Sequence, residues 1–359
     1  MASIEELLES WDGEFVVSAY DVPSATWIFI AIHDRTLGMA TGGCRLSFYS
    51  TPADGLRDAM RLARGMTFKW AAIDFPFGGG KTVLAAAKPL EGASREALLL
   101  RLGSIIDSLG GTYGVGVDLG TSPADMATIG RRTRWVFGKP VEQGGQGDPG
   151  PWTAMGVLAG IRSAIEHAFG ADSLEGRRVL VQGVGDVGGP LARHLAAEGA
   201  AVLISDAMPG RAHALARELN ATVVAPEDTY RTACDVFAPC AIGGILNERS
   251  IPHLRCRVVG GSANNQLEKE PDAELLHERG ILYAPDFVIN AGGAIAHGSL
   301  EVLGWTEPQV RERVGRIRGT LDGIFAEASR LGESPLREAN RRAVRNLEAA
   351  RAAKVPPTS

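Results

Sequence analysis

Arg178-Val179-Leu180-Val181-Gln182-Gly183-Val184-Gly185-Asp186-Val187-Gly188 is the stretch that decides the fold. Five residues of buried-strand character run straight into a Gly-x-Gly-x-x-Gly turn, and helical spacing resumes from Val187 to Glu198. A second strand, Ala201–Ser205, follows and ends at Asp206, 18 residues beyond Gly188. The glycines alone would be weak evidence. Strand, turn, helix and terminal acid in this order are the context in which such a turn holds a dinucleotide. Gly183 permits the tight turn, Gly185 lets a pyrophosphate approach the backbone, and Gly188 lets helix pack on strand. The helix N-terminus supplies N–H donors to the phosphates. Asp206 is placed to accept from the adenosine ribose hydroxyls and to repel a 2′-phosphate, which favours NAD over NADP, although a neighbouring arginine such as Arg211 would serve a phosphate. A glycine-rich turn that binds nothing is the competing reading, and the terminal acid argues against it.

Working outward, short apolar runs at Thr222–Val224, Asp235–Ala238, Arg257–Val259 and Ile281–Tyr283 continue the alternation of strand and helix. That rhythm predicts a doubly wound parallel sheet. From Glu307 the chain reads as helical and Arg-rich, and Val355–Ser359 is expected to fray. Upstream, Glu14–Tyr20 and Ala25–His33 read as opening strands, and a helix begins at Pro52. Gly78-Gly79-Gly80 interrupts the pattern before a strand over Thr82–Ala87. Ala97–Leu109 then reads as a helix and Thr112–Val117 as a strand ending at Asp118. The Gly- and Pro-rich Gly144–Gly150 segment is the candidate hinge. The expectation is an α/β protein of two domains with a cleft between them. Residues 1–145 form an N-terminal α/β substrate and oligomerisation domain, 146–329 form a Rossmann-type nucleotide domain, and the C-terminal helix 330–359 packs back towards the first.

Composition sets the bounds. A chain of 359 residues exceeds what one core usually serves, and 45% hydrophobic with 22% charged residues is ordinary for a globular protein. A net charge of -5 makes nucleic acid an unfavoured partner. The four scattered cysteines form neither a disulfide framework nor a metal set, so no metal is expected. No apolar stretch approaches the about 20 residues a membrane span needs. The acidic start lacks a signal-peptide pattern, and a cytoplasmic location is expected.

Two lysines stand out in the first domain. Lys69 follows Met66 by three residues on an apolar helical face, and Lys81 directly follows the triple glycine. Read alone, Lys69 is a lysine whose stem covers apolar surface. Gly80-Lys81-Thr82 is not a P-loop, because Phe75 stands where that motif needs glycine. Asp118 closes a strand, where catalytic side chains of open sheets gather, or it caps the next segment.

Arg64-Gly65-Met66-Thr67-Phe68-Lys69, Phe77-Gly78-Gly79-Gly80-Lys81, Val117-Asp118-Leu119-Gly120-Thr121, Gly261-Ser262-Ala263-Asn264-Asn265 and Ala284–Gly293 together resemble the signature of the glutamate/leucine/phenylalanine/valine dehydrogenases. The resemblance runs from about Trp11 to the Arg-rich C-terminal helix. The Ala291–Ile295 and Glu301–Trp305 runs look most like phenylalanine dehydrogenases, with leucine and valine dehydrogenases close behind.

The resemblance implies reversible oxidative deamination of an apolar L-amino acid, phenylalanine-like by preference, to its 2-oxo acid and ammonia. Branched-chain or tryptophan dehydrogenation on the same scaffold and a non-catalytic NAD-binding regulator are the alternatives. It implies that Lys69 pairs with the substrate carboxylate, that Lys81 holds the attacking water, and that Asp118 exchanges protons with the amine. A lowered lysine pKa, from burial and a second nearby cation, suits Lys81 to that task. Thr41, Gly43, Met66, Gly116, Asn290, Ala294 and His297 are implied around the substrate. Gly116 and Ala294 are small enough to leave room for a ring or a long aliphatic chain. Asp186, Val187, Thr153, Ala238, Cys240 and Asn264 are implied around NAD beside the glycines, with no chemistry assigned to Cys240. Glutamate dehydrogenases carry lysine where Thr41 stands, so a distal carboxylate would go unpaired here. His297 departs from the apolar residue of leucine dehydrogenases; a solvated rim histidine and a polar pocket lining are both open. A homo-oligomer is implied as well.

Overall fold

The computed structural model describes residues 3–354 and divides into two compact units, residues 1–147 with 343–359, and 148–342. The division falls inside the glycine-rich Gly144–Gly150 segment.

In the first unit a short helix α1 (Ile4–Ser10) precedes strands β1 (Phe15–Asp21), β2 (Thr26–Asp34) and β3 (Ala40–Phe48). Helix α2 (Pro52–Ala72), β4 (Gly78–Ala86), α3 (Gly92–Ser108), β5 (Tyr113–Val117) and α4 (Pro123–Gly130) follow. The strands form one mixed sheet in the order β1-β2-β4-β3-β5. β1 and β4 run antiparallel to β2, while β3 lies parallel between β4 and β5. Thr51 caps α2 by accepting from the Asp54 amide, and Pro52 supplies a preset φ at its first turn. Leu56, Ala59, Met60 and Ala63 turn one stripe of α2 onto Phe29, Ala31, Val83 and Ala85 of the sheet. On the opposite face, Leu98, Leu102 and Ile106 of α3 and Met126 and Ile129 of α4 pack on Ile28, Ile30, Leu84 and Val115.

Two differences from the sequence reading concern this sheet. The triple glycine does not interrupt; it is the start of β4, buried throughout. The residues are small because neighbours close in. A Cβ on Gly79 would lie 2.0 Å from the Thr67 hydroxyl of α2, and one on Gly80 would lie 2.8 Å from the Tyr113 ring. β3 was not anticipated either, since Thr41-Gly42-Gly43-Cys44-Arg45 has little strand propensity. It forms a strand because β4 and β5 flank it, and a Cβ on Gly42 would strike the Gly80 carbonyl at 1.8 Å.

The second unit opens with α5 (Gly150–Phe169), a helix the sequence reading passed over. Then come β6 (Arg178–Gln182), α6 (Gly188–Ala197), β7 (Ala201–Ser205), α7 (Pro209–Leu219), β8 (Thr222–Val223), β9 (Val236–Pro239) and β10 (Val258–Val259). After them are α8 (Asp272–Glu278), β11 (Leu282–Tyr283), α9 (Asp286–Ile289), α10 (Gly292–His297), α11 (Glu307–Gly315), α12 (Ile317–Leu331) and α13 (Pro335–Lys354). Six parallel strands pair in the order β11-β10-β9-β6-β7-β8. The chain winds one way from β6 to β8 and the other way from β9 to β11. The switch point is therefore between β6 and β9, where ligands of such sheets bind.

The second half of α13 belongs to the first unit. Asn346 donates to the Ala71 carbonyl at 2.8 Å, and Arg351 pairs with Asp34. Val355–Ser359, expected to fray, lie outside the described residues. No helix among the described residues is long and apolar enough to cross a membrane.

Candidate functional site

In the first unit the alternation of β3 puts Thr41, Gly43 and Arg45 on one face of the sheet, the face that α2 covers. Lys81 of β4 and Asp118, just beyond β5, share that face. Lys81 is 5% exposed, and its Nζ lies 3.1 Å from Asp118 Oδ2. Gly43 makes the pair possible. A Cβ there would stand 2.6 Å from Asp118 Cβ and 3.2 Å from Lys81 Nζ. Asp118 is anchored by its own loop: its amide donates to Thr121 Oγ1 at 3.1 Å, and that hydroxyl donates to the Cys44 carbonyl at 2.7 Å. Asp118 is not the cap of the following helix. Ser122 caps α4, in a reciprocal box with Asp125.

A residue the sequence reading left unassigned completes the cluster. Arg45 Nε donates to Asp118 Oδ2 at 2.9 Å, and its Nη1 donates to Asp58 Oδ2 at 3.0 Å. Burial is the largest influence on Lys81 and pushes its pKa down; Arg45 adds to this, and Asp118 pulls the other way without prevailing. Burial opposes ionisation of Asp118, yet Lys81 and Arg45 outweigh it and hold the carboxyl below its usual range. The second cation beside Lys81 is thus Arg45. The only sequence sign of it was its place two residues beyond Gly43.

Lys69 and Met66 are half-buried one turn apart at the C-terminal end of α2. Thr41 is 2% exposed, and its hydroxyl meets no hydrogen-bond partner among the described residues. Gly116 does not leave open space. Phe137, another residue unassigned from sequence, lies over it, so that a Cβ would be 2.5 Å from the ring. The glycine makes room for this chain's own aromatic wall.

The second unit carries a site of another kind, built on backbone. β6 ends at Gln182, and Gly183 turns with φ +87°, a conformation that disfavours any side chain. Gly188 opens α6 so near the turn that a Cβ would lie 1.9 Å from the Gly183 carbonyl and 3.1 Å from Cys240 Cβ. Within α6, Gly189 donates to the Gly185 carbonyl and Leu191 to the Val187 carbonyl, both at 3.0 Å, and Pro190 has no N–H, so the donors suited to phosphate oxygens are those of the turn at the helix N-terminus. Asp186 is exposed and Val187 half-buried within this turn. Asp206 accepts from the Val184 amide and, through its other oxygen, from the Met208 amide, both at 2.8 Å. It is fixed to the glycine turn by backbone donors. Arg211 Nη1 comes within 3.7 Å of where a Gly185 Cβ would be. Across the switch point Val181 pairs with Ala238, and the Cys240 amide donates to Gln182 at 2.7 Å. Burial pushes the Cys240 thiol up, so no reactive thiolate is prepared there. A nicotinamide dinucleotide fits this donor set: an open turn, a helix N-terminus and a carboxylate one strand away.

Elsewhere in the unit, Asn290 is buried and donates to Asn264 Oδ1 at 2.7 Å and to the Ser262 carbonyl at 3.1 Å. Thr153 donates to the Pro149 carbonyl at 3.0 Å. Ala294 and His297 share one half-buried face of α10.

Both halves of this architecture match known families. Residues 24–139 match the Glu/Leu/Phe/Val dehydrogenase dimerisation domain, and residues 206–354 match the glutamate/leucine/phenylalanine/valine dehydrogenase domain. The chain belongs to this family and is an oxidoreductase acting on amino acids. It is 42% identical to a leucine dehydrogenase of Geobacillus stearothermophilus, over 97% of this chain and 94% of that one. It is 40% identical to a valine dehydrogenase of Streptomyces albus, over 94% and 93%. The crystal structure of L-tryptophan dehydrogenase from Nostoc punctiforme superposes with a TM-score of 0.85 at 37% identity, covering 97% of this chain and 100% of that one.

Proposed function

We propose that this chain oxidatively deaminates an apolar L-amino acid to its 2-oxo acid and ammonia, with NAD as the acceptor. The observation that carries the reading is the buried Lys81–Asp118 pair at 3.1 Å. Bound nicotinamide supplies the hydride acceptor. The rest is work for this chain's side chains. Lys69 pairs with the substrate carboxylate. Asp118, kept ionised, takes a proton from the substrate ammonium and later returns one to the departing nitrogen. Lys81, its pKa pushed down by burial, takes a proton from the water that attacks the iminium carbon. Asn264 and Asn290 orient the cofactor and the amino-acid head group. NAD rather than NADP is favoured by the Asp206 carboxylate beside the glycine turn.

Thr41 supports the apolar range, because an unpaired distal carboxylate would be costly to bury beside it. The sequence reading leaned towards phenylalanine; the named relatives act on leucine, valine and tryptophan, and the range proposed spans them. A second reading, an indole-bearing substrate, is favoured by the Thr41 hydroxyl, buried with no partner and able to accept from an indole N–H. The family's dimerisation domain supports a homo-oligomer. Initial rates with leucine, valine, phenylalanine, tryptophan and glutamate test the proposal. We expect turnover of one or more of the first four and none of glutamate; preference for glutamate would refute it.

A further inference from the structure

We infer that Arg45 is a positioning residue that clamps one oxygen of Asp118 so that the other, Oδ1, exchanges protons with the substrate. Both cations converge on the same atom: Arg45 Nε at 2.9 Å and Lys81 Nζ at 3.1 Å from Oδ2. No hydrogen bond to Oδ1 occurs among the described residues. A carboxylate held by one oxygen has one orientation and one free basic lone-pair set. The clamp is itself held. Arg45 reaches back with Nη1 to Asp58 Oδ2, which also accepts from Tyr49 Oη at 2.7 Å, and Arg61 donates to Asp58 Oδ1 at 2.7 Å. Asp58 stands on α2 and Arg45 on β3, so the guanidinium spans from helix to strand end with its planar fork fixed at both sides. A lysine lacks this planar fork and cannot hold the two carboxylates from two separate nitrogens.

The groups facing Asp118 set the sign of the pH effect. Lys81 faces it from β4 and Arg45 from β3, with Asp58 behind Arg45; the Cys44 thiol and the Tyr113 phenol, on the opposite face of the sheet, feel its charge. Burial pushes Cys44 and Tyr113 upward, so neither is charged at neutral pH. Arg45 favours the carboxylate and disfavours the ammonium of Lys81. Its removal therefore raises both pKa values, and the acidic limb of kcat/KM, which reports the free enzyme's essential groups, moves to higher pH.

This inference rests on the dehydrogenase reading, and the experiment separates the two. Wild-type enzyme without turnover on any apolar amino acid defeats that reading before a variant is made. With an active wild type, Arg45→Met should lower kcat on the order of 100-fold and move the acidic limb upward, with NADH binding unchanged. Arg45→Lys should return the limb to its native position while recovering kcat only in part. Asp58→Asn, which keeps the arginine's charge, should lower kcat by about tenfold without raising the limb. A native kcat and native limb in Arg45→Met overturn the inference. Should that variant not fold, native kcat in both Arg45→Lys and Asp58→Asn overturns it equally.

Discussion

The two units make their sites from opposite materials. In the first, three charged side chains, Lys81, Asp118 and Arg45, meet within hydrogen-bonding distance on the face of the sheet that α2 covers. In the second, three of the six residues of the Gly183–Gly188 turn after β6 are glycine, and its donors are backbone N–H groups. A charge cluster in a dry setting depends on each partner's charge, because what is left behind is buried and unpaired. A backbone cradle depends on volume instead: any Cβ where the ligand or the helix must come close spoils it. The first site should fail on loss of charge and the second on gain of bulk.

Lys81→Ala should break the first half of that contrast most severely. Turnover is expected to fall roughly 10²- to 10⁴-fold, the usual range for a lost acid–base group, while NADH binding by fluorescence titration stays near wild type. Gly188→Val should do the reverse. Its Cβ would meet the Gly183 carbonyl at 1.9 Å, so the NADH Kd should rise about tenfold or more with the Lys81–Asp118 pair untouched. Similar losses of NADH affinity in both variants would erase the distinction. The smallest effect is expected at Asp206→Asn, which keeps one acceptor oxygen for a backbone amide and removes the charge. The ratio of kcat/KM for NADP over NAD should rise by up to about tenfold, helped by Arg211 nearby; an unchanged ratio would show that the carboxylate does not select the cofactor.

The contrast also explains what could be read from sequence. The parallel sheet of the second unit was legible nearly to the residue, although α5 was not: Arg178–Gln182 and Ala201–Ser205 are β6 and β7 as read. Parallel strands buried on both faces are continuous apolar runs, and the turn between them is fixed by local chemistry. In the other half β3 hid behind Thr41-Gly42-Gly43, and the triple glycine looked like a break. Those glycines answer to Thr67, Tyr113 and Gly80, partners far away in sequence. Arg45 was out of reach for the same reason. Its contact with Asp118 spans 73 residues and depends on the parallel register of β3 with β5, in which Gly43 faces Gly116. Phe137 over Gly116 is likewise a matter of tertiary packing. Lys81 and Asp118 stood out singly, but only family resemblance joined them, since local patterns leave their two motifs unrelated.

The central claim is direct transfer of hydride from the α-carbon of an apolar amino acid, and isotopic labelling tests it most directly. With α-deuterated leucine, valine, phenylalanine or tryptophan as substrate, whichever turns over fastest, the deuterium should appear on the reduced nicotinamide, with one 2-oxo acid formed per cofactor reduced. Deuterium released to solvent, or 2-oxo acid formed without cofactor reduction, would contradict the account.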